Sequence, residues 1–296
     1  MKYLKTLMQV LWAFLLFTHC QSQNPNAPSE SVMVALYSGP GTAEECVKAT
    51  ENMFRWIGCK VTMLGADSIN DKSLRGYDIL CIPGGNMYQY AQDISSSGKE
   101  KIRNYIRAGG SYIGICGGAY FASEKVIWQG SQLPMESLSL FSGTAEGVID
   151  EIVPYPDYGM CRVDIVDSLH PVTRSEPDSI WILYYWGPAL TPDLGCDATI
   201  LADYEKVNLP AMLAFEYGDG RVFLVGVHPE FEEDSDRDGV TLADELDDRG
   251  SEWEMMKRAV LWCLKKLARL HHRQHEYEEF CMGPRTADVL VTGSEK

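Results

Sequence analysis

The chain has 296 residues, 45% hydrophobic and 23% charged, an ordinary balance for a globular protein that admits one large domain or two small ones. That length buries a sizeable core without disulfides or metals to hold it. With 26 basic against 42 acidic residues and a formal charge of −16, the surface repels phosphate backbones, which excludes nucleic acid as an expected partner.

The first residues read as an export signal. Lys2 and Lys5 precede the apolar stretch Leu7 to Phe17, which is too short to span a bilayer but suits a signal-peptide core. Residues 1–22 are therefore expected to be a signal peptide and 23–30 a polar linker, placing the protein in the periplasm or cell envelope. Cys20 stands where a bacterial lipoprotein carries its acylated cysteine, although His19 takes the place usual for Gly or Ala. Lipid attachment at Cys20 and plain cleavage nearby both stay open, and membrane association is expected only through such a lipid. The other eight of the nine cysteines form no disulfide framework, and without a C-x-x-C pair no zinc site is indicated. Cys46, Cys59, Cys81 and Cys263 fall in apolar patterns and read as buried small hydrophobes.

From Ser31 onward strand-like and helix-like stretches alternate. The run 32–37 (VMVALY) is apolar and β-branched. Thr42 is placed to cap a helix reaching Ile57, with Glu44 and Glu45 favourable in its first turn. Residues 60–64 and 77–82 read as strands, followed by the loop Pro83-Gly84-Gly85-Asn86. A helix is expected from about Gly98 to Ala108, stopped by Gly109 and Gly110. Residues 111–115 form a fourth strand, and 117–123 open another helix. Beyond about residue 127 the pattern changes to strands separated by Gly, Pro and Asp turns: 161–166, 179–186, 198–204, 211–217 and 221–227. Residues 252–270 read as an amphipathic helix closing a domain of 31–270, and 271–296 as a polar tail.

This order predicts an α/β fold. Its sheet is doubly wound and mostly parallel, with helices on both faces and an antiparallel extension in the second half. The continuous apolar strands agree, because parallel strands are buried on both faces.

Two segments carry chemistry. Gly114-Ile115-Cys116-Gly117-Gly118 joins a strand to a helix, the form of a nucleophile elbow, in which the neighbours two residues either side must be small. A thiol at a helix N-terminus is favoured as the reactive thiolate. The second segment is Val227-His228-Pro229-Glu230. In extended backbone His228 and Glu230 point to one side, so a carboxylate can fix the imidazole tautomer while the other ring nitrogen faces a thiol. Pro229 ends the strand at its carboxyl edge, where open α/β sheets place their ligands.

The pairing of GICGG with a downstream HPE resembles the class I glutamine amidotransferase superfamily, which is flavodoxin-like and uses a Cys-His-Glu triad. GICGGAYFAS is similar to the amidotransferase-like N-terminal domain of biotin-protein ligases, over roughly Val32 to Leu267. The resemblance implies Cys116 as nucleophile, His228 as base and Glu230 as orienting acid. It also implies an oxyanion hole from Gly84, Gly85 and Asn86 together with the N–H of Gly117. Amidotransferases carry Gln at the position of Tyr120, where it holds glutamine. That departure, and the lack of a synthase segment in the chain, points away from ammonia transfer. The expected substrate is an unidentified amide, ester or peptide-like small molecule, and no cofactor is required. A non-catalytic binding or scaffold domain that keeps the fold is the alternative.

The segment from Asp234 through Asp236 and Asp238, then Val240, to Glu245 matches a calcium-loop pattern, with Gly239 at the sharp turn. It implies a possible Ca²⁺ site, the alternative being an acidic surface insertion. Tyr155, Tyr158, Tyr184, Tyr185 and Trp186 are pocket or wall candidates left without a role.

Overall fold

The computed structural model describes residues 31–265 apart from 234 and 247–249. The expected signal peptide, the linker, Cys20, Asp234 and the C-terminal tail lie outside the described residues. No helix among those described is long and apolar enough to cross a membrane.

The first half follows the predicted alternation closely. Strand β1 (Met33–Tyr37) leads to helix α1 (Glu44–Ile57), then β2 (Lys60–Leu64), α2 (Ala66–Asp71), β3 (Ile79–Ile82), α3 (Met87–Asp93), α4 (Ser96–Arg107), β4 (Ser111–Ile115) and α5 (Gly117–Ala122). Glu44 and Glu45 lie in the first turn of α1, and Gly58 closes it with a φ of 96°, a left-handed conformation that costs glycine little. Thr42 does not cap this helix. Its hydroxyl donates to Gly39 O at 2.9 Å, and Ala43 occupies the cap position. Ser95 does cap α4, accepting from Gly98 N. Helices α2 and α3 were not expected; both are short, and α3 owes its start to Asn86, whose side chain accepts from Tyr88 N and Gln89 N.

The second half contributes β5 (Ser123–Trp128), β6 (Ser131–Gln132), β7 (Phe141–Gly147), β8 (Gly159–Ile165), β9 (Ser179–Tyr184), β10 (Ala189–Pro192), β11 (Thr199–Tyr204), β12 (Leu209–Tyr217), β13 (Gly220–Val225) and α6 (Trp253–Cys263). The main sheet has nine strands in the order β2-β1-β3-β4-β13-β12-β11-β8-β9. From β2 to β13 neighbours run parallel, and from β13 to β9 they run antiparallel. The sheet is thus parallel over five strands and antiparallel over the other four, a larger antiparallel share than expected. A separate small sheet, β10-β7-β5-β6, was not anticipated, since β6 and β10 are two and four residues long and β5 follows α5 without a turn.

Alternation along the parallel strands divides the core. Val34, Leu36, Ile79, Cys81 and Ile113 pack with Met53 and Phe54 of α1 and Trp253 and Met256 of α6. Ala35, Leu80, Ile82 and Tyr112 face the other way, onto Tyr90 of α3, Ile102 and Ile106 of α4, and Phe121 of α5. Every residue of β3 and β4 is buried, as strands covered on both faces require. The carboxyl ends of β3, β4 and β13 lie side by side, and the loops leaving them build the site.

Candidate active site

Cys116 sits between β4 and α5 with φ 48° and ψ −103°, a region costly for any residue but glycine. Its surroundings hold it there. Its N–H donates to Val225 O at 2.9 Å, and its carbonyl accepts from Ala119 N at 2.9 Å and Tyr120 N at 3.0 Å. The glycines either side are needed for space. A Cβ on Gly114 would lie 2.8 Å from the Gly118 carbonyl, and one on Gly118 would lie 1.9 Å from Ile82 O.

His228 and Glu230 follow β13, which ends at Val225, earlier than the sequence pattern indicates. They are therefore set by a turn and not by an extended strand. Gly226 still donates to Ala211 O of β12 at 2.8 Å, and it must be glycine because a Cβ there would meet Pro188 O at 2.0 Å. The side chains still meet: His228 Nδ1 is 2.9 Å from Glu230 Oε1, with both residues buried. Glu230 Oε2 is buried without a hydrogen-bond partner, and Trp253 Nε1 donates to the Glu230 carbonyl at 3.1 Å.

The Tyr185 carbonyl lies 3.6 Å from Cys116 Sγ and 3.1 Å from His228 Nε2, within reach of both groups. Burial alone would lower the His228 pKa. The Glu230 carboxylate, with the Cys116 and Cys46 thiols beside it, outweighs burial and holds the ring well above the usual imidazole range. A ring protonated on both nitrogens donates to Glu230 and to Tyr185 O together, which satisfies every contact just described.

Asn86 departs from its expected place in an oxyanion hole. Its N–H is taken by Gly41 O at 2.7 Å, and its side chain caps α3. Gly84 comes close to the ring: a Cβ on it would lie 2.8 Å from His228 Cε1. Gly85 has φ 147°, and a Cβ on Gly117 would meet Gly85 N at 2.8 Å and Gly85 O at 2.4 Å, so these two backbones are pressed together beside the thiol. Gly117 opens α5, where an N–H has no carbonyl of its own helix to bond. Tyr120 is buried, and its hydroxyl donates to Trp186 O at 3.1 Å.

Sequence reasoning missed several residues of this site. Cys46, read as core, is indeed buried, yet its Sγ lies 4.0 Å from His228 Nδ1. Cys46, Cys116 and His228 line one cavity of about 440 Å³ with Tyr120, Trp128, Tyr185 and Trp186. Nothing in the helical pattern around Cys46 marks it, because only the tertiary fold brings the start of α1 to the sheet edge. Among the described residues, Cys46, His228 and Glu230 bring potential metal-ligand atoms within 4.8 Å of one another. Burial pushes the Cys46 thiol up to about 11, so at neutral pH the metal-free thiol keeps its proton.

The acidic loop beyond Glu230 is engaged with the protein. Asp236 and Asp238 form a 3₁₀ turn closed by Gly239 at φ 79°. Asp238 is buried, and its carboxylate accepts from Glu232 N at 3.1 Å and Val240 N at 3.2 Å. Glu245 Oε1 accepts from the Tyr158 hydroxyl at 2.8 Å. Cys46, Cys81, Cys116, Cys161, Cys196 and Cys263 are free thiols.

A family model described as the N-terminal part of biotin-protein ligase matches residues 32–281. A biotin–protein ligase of Schizosaccharomyces pombe is 27% identical over 216 residues, covering 67% of this chain and 33% of that protein. The chain spans about a third of the length of the curated relatives it matches. Among solved structures, PurLQS of Thermotoga maritima aligns with a TM-score of 0.54 and 16% identity over 80% of this chain and 99% of that one. A putative GMP synthase protein of Thermoplasma acidophilum aligns with a TM-score of 0.52 and 14% identity over 81% of this chain and 98% of that one. At these identities the likeness is one of fold.

Proposed function

From the chain's membership of the biotin-protein ligase N-terminal family, with its class I glutamine amidotransferase-like fold, we propose that it is an exported cysteine hydrolase. It cleaves an amide, ester or peptide-like substrate through a thioester. The observation that carries this reading is the buried His228–Glu230 pair, 2.9 Å apart, on the same cavity as a cysteine held in a strained elbow.

In this mechanism the deprotonated Cys116 Sγ attacks the substrate carbonyl, and the carbonyl electron pair moves to oxygen. In this reading the N–H groups of Gly85 and Gly117 receive that oxyanion. As the intermediate collapses, the C–N or C–O bond breaks and the leaving group takes a proton from His228 Nε2. Water then adds to the thioester, gives its proton to His228, and the acid departs as the C–S bond breaks. Glu230 orients the ring and stabilises its positive charge. Tyr120, tied to Trp186 O where amidotransferases hold glutamine with Gln, supports a substrate other than glutamine.

The test is selective alkylation. At about pH 6 to 7, well below an ordinary thiol pKa, iodoacetamide should label Cys116 ahead of the other cysteines. His228→Ala should slow that labelling by roughly a hundredfold. Equal labelling of all cysteines, unchanged by the substitution, would leave a non-catalytic domain as the better reading. The Leu7–Phe17 segment supports export. Mass spectrometry of the protein from the cell envelope should find an N-terminus near Cys20, whereas an intact Met1 in the cytoplasmic fraction would refute it.

A further inference from the structure

We propose that the cavity over Cys116 takes a neutral substrate bearing an aromatic group; this rests on the hydrolase reading above and narrows it. The cavity of about 440 Å³ has the size of a small-molecule site. Among the described residues that line it there is no Asp, Glu, Lys or Arg side chain. A free amino acid such as glutamine brings an ammonium and a carboxylate, and each needs a charged or multiply hydrogen-bonding partner once removed from water. This cavity offers one titratable base, His228, already held between Glu230 and the Tyr185 carbonyl.

Aromatic side chains line much of the cavity. Trp128 lies 5.9 Å from Tyr120 between ring centres, and Trp186 lies 4.6 Å from Tyr185. Tyr155, which does not line the cavity, packs against both indoles, 6.3 Å from Trp128 and 4.9 Å from Trp186, and so links them.

Trp186 is held there at a cost. Its φ is 64°, a conformation unusual for a bulky residue and maintained only where the surroundings over-determine it. They do so from three sides. Tyr120 donates to its carbonyl, and its indole N–H donates to Asp157 O at 3.0 Å. Next to it, Gly187 is so tightly packed that a Cβ would lie 1.5 Å from Gly226 O. With its N–H committed, the Trp186 indole offers the cavity apolar ring surface, which selects a planar apolar group by stacking. Tyr120 thereby acquires a role: it positions the wall.

The test uses the full-length protein and N-acetyl-phenylalaninamide, a neutral aromatic amide, with N-acetyl-alaninamide and free glutamine as comparators. Calorimetric titration should give the aromatic amide a Kd about tenfold lower than the alanine amide, the worth of one good ring contact, with no binding of glutamine. The aromatic amide should also protect Cys116 from iodoacetamide. Trp186→Ala and, separately, Trp128→Ala should each raise its Kd by about tenfold and weaken the protection of Cys116 to match. Two variants guard against one failing to fold, and the melting curve of each identifies such a failure.

Glutamine binding as tightly as the aromatic amide, or an aromatic amide binding no better than the alanine amide, would overturn the proposal even if Cys116 reacts fast. Aromatic binding with an inert Cys116 would uphold the substrate class and sink the hydrolase reading.

Discussion

Glu230 has one carboxylate oxygen on His228 and the other buried without a hydrogen-bond partner, so its charge is offset chiefly by the imidazolium. In Glu230→Gln that interaction goes, burial dominates, and the His228 pKa should fall below its parent value, as read from the ring protons by NMR. The stability effect has a definite sign. A histidine whose folded pKa is raised adds stability that is fully present below about pH 6.5, the unfolded value, and is lost as pH rises through the folded value. The Tm gap between parent and Glu230→Gln should therefore be wider near pH 6 than on the alkaline side, and a gap that widens with pH would contradict the assignment. Cys46, pushed up to about 11 by burial, should resist iodoacetamide until the pH approaches that value. Legibility at this scale follows backbone demand. Cys116 shows in the sequence because its elbow forces glycines at fixed offsets, and His228 and Glu230 show because a proline stands between them. Cys46 and the Tyr185 carbonyl leave no such mark, since a helix start and a main-chain oxygen come to the site only through tertiary packing.

Among the elements, the junction of β4 and α5 is the most tightly specified. Gly118→Ala would set a Cβ 1.9 Å from Ile82 O, a main-chain atom of β3 that cannot swing aside. Denaturant unfolding should show a loss of about 3 kcal/mol or more, the upper part of the overpacking range. Gly65→Ala, where nothing lies within 4 Å, should stay within about 0.5 kcal/mol of the parent. The acidic turn gives a third case. Asp238 holds Glu232 N and Val240 N, and Asp238→Ala should cost about 1–3 kcal/mol by leaving buried donors unpaired. The inner parallel strands β1, β3, β4 and β13 were legible because burial on both faces makes them largely apolar. The small sheet was not, because β6 and β10 are two and four residues long and carry no period to read.

For the molecule as a whole, a formal charge of −16 sets long-range repulsion against folding. The Tm should rise between about 0.01 and 0.15 M monovalent salt, as the screening length shrinks from about 30 to 8 Å; a fall would mean that specific ion pairs outweigh net repulsion. The order of strands could not be read from the sequence, because β13 enters between β4 and β12 by a pairing that spans more than a hundred residues of chain. That insertion governs timing. During synthesis Cys116 emerges long before His228 and Glu230, and Trp253, whose indole braces Glu230 from behind, emerges later still. Until β13 arrives, β4 has β3 on one side and an open edge on the other. On the hydrolase reading proposed above, a half-made chain therefore carries Cys116 without His228 and Glu230, and the three meet only when β13, the last strand among the described residues, joins the sheet.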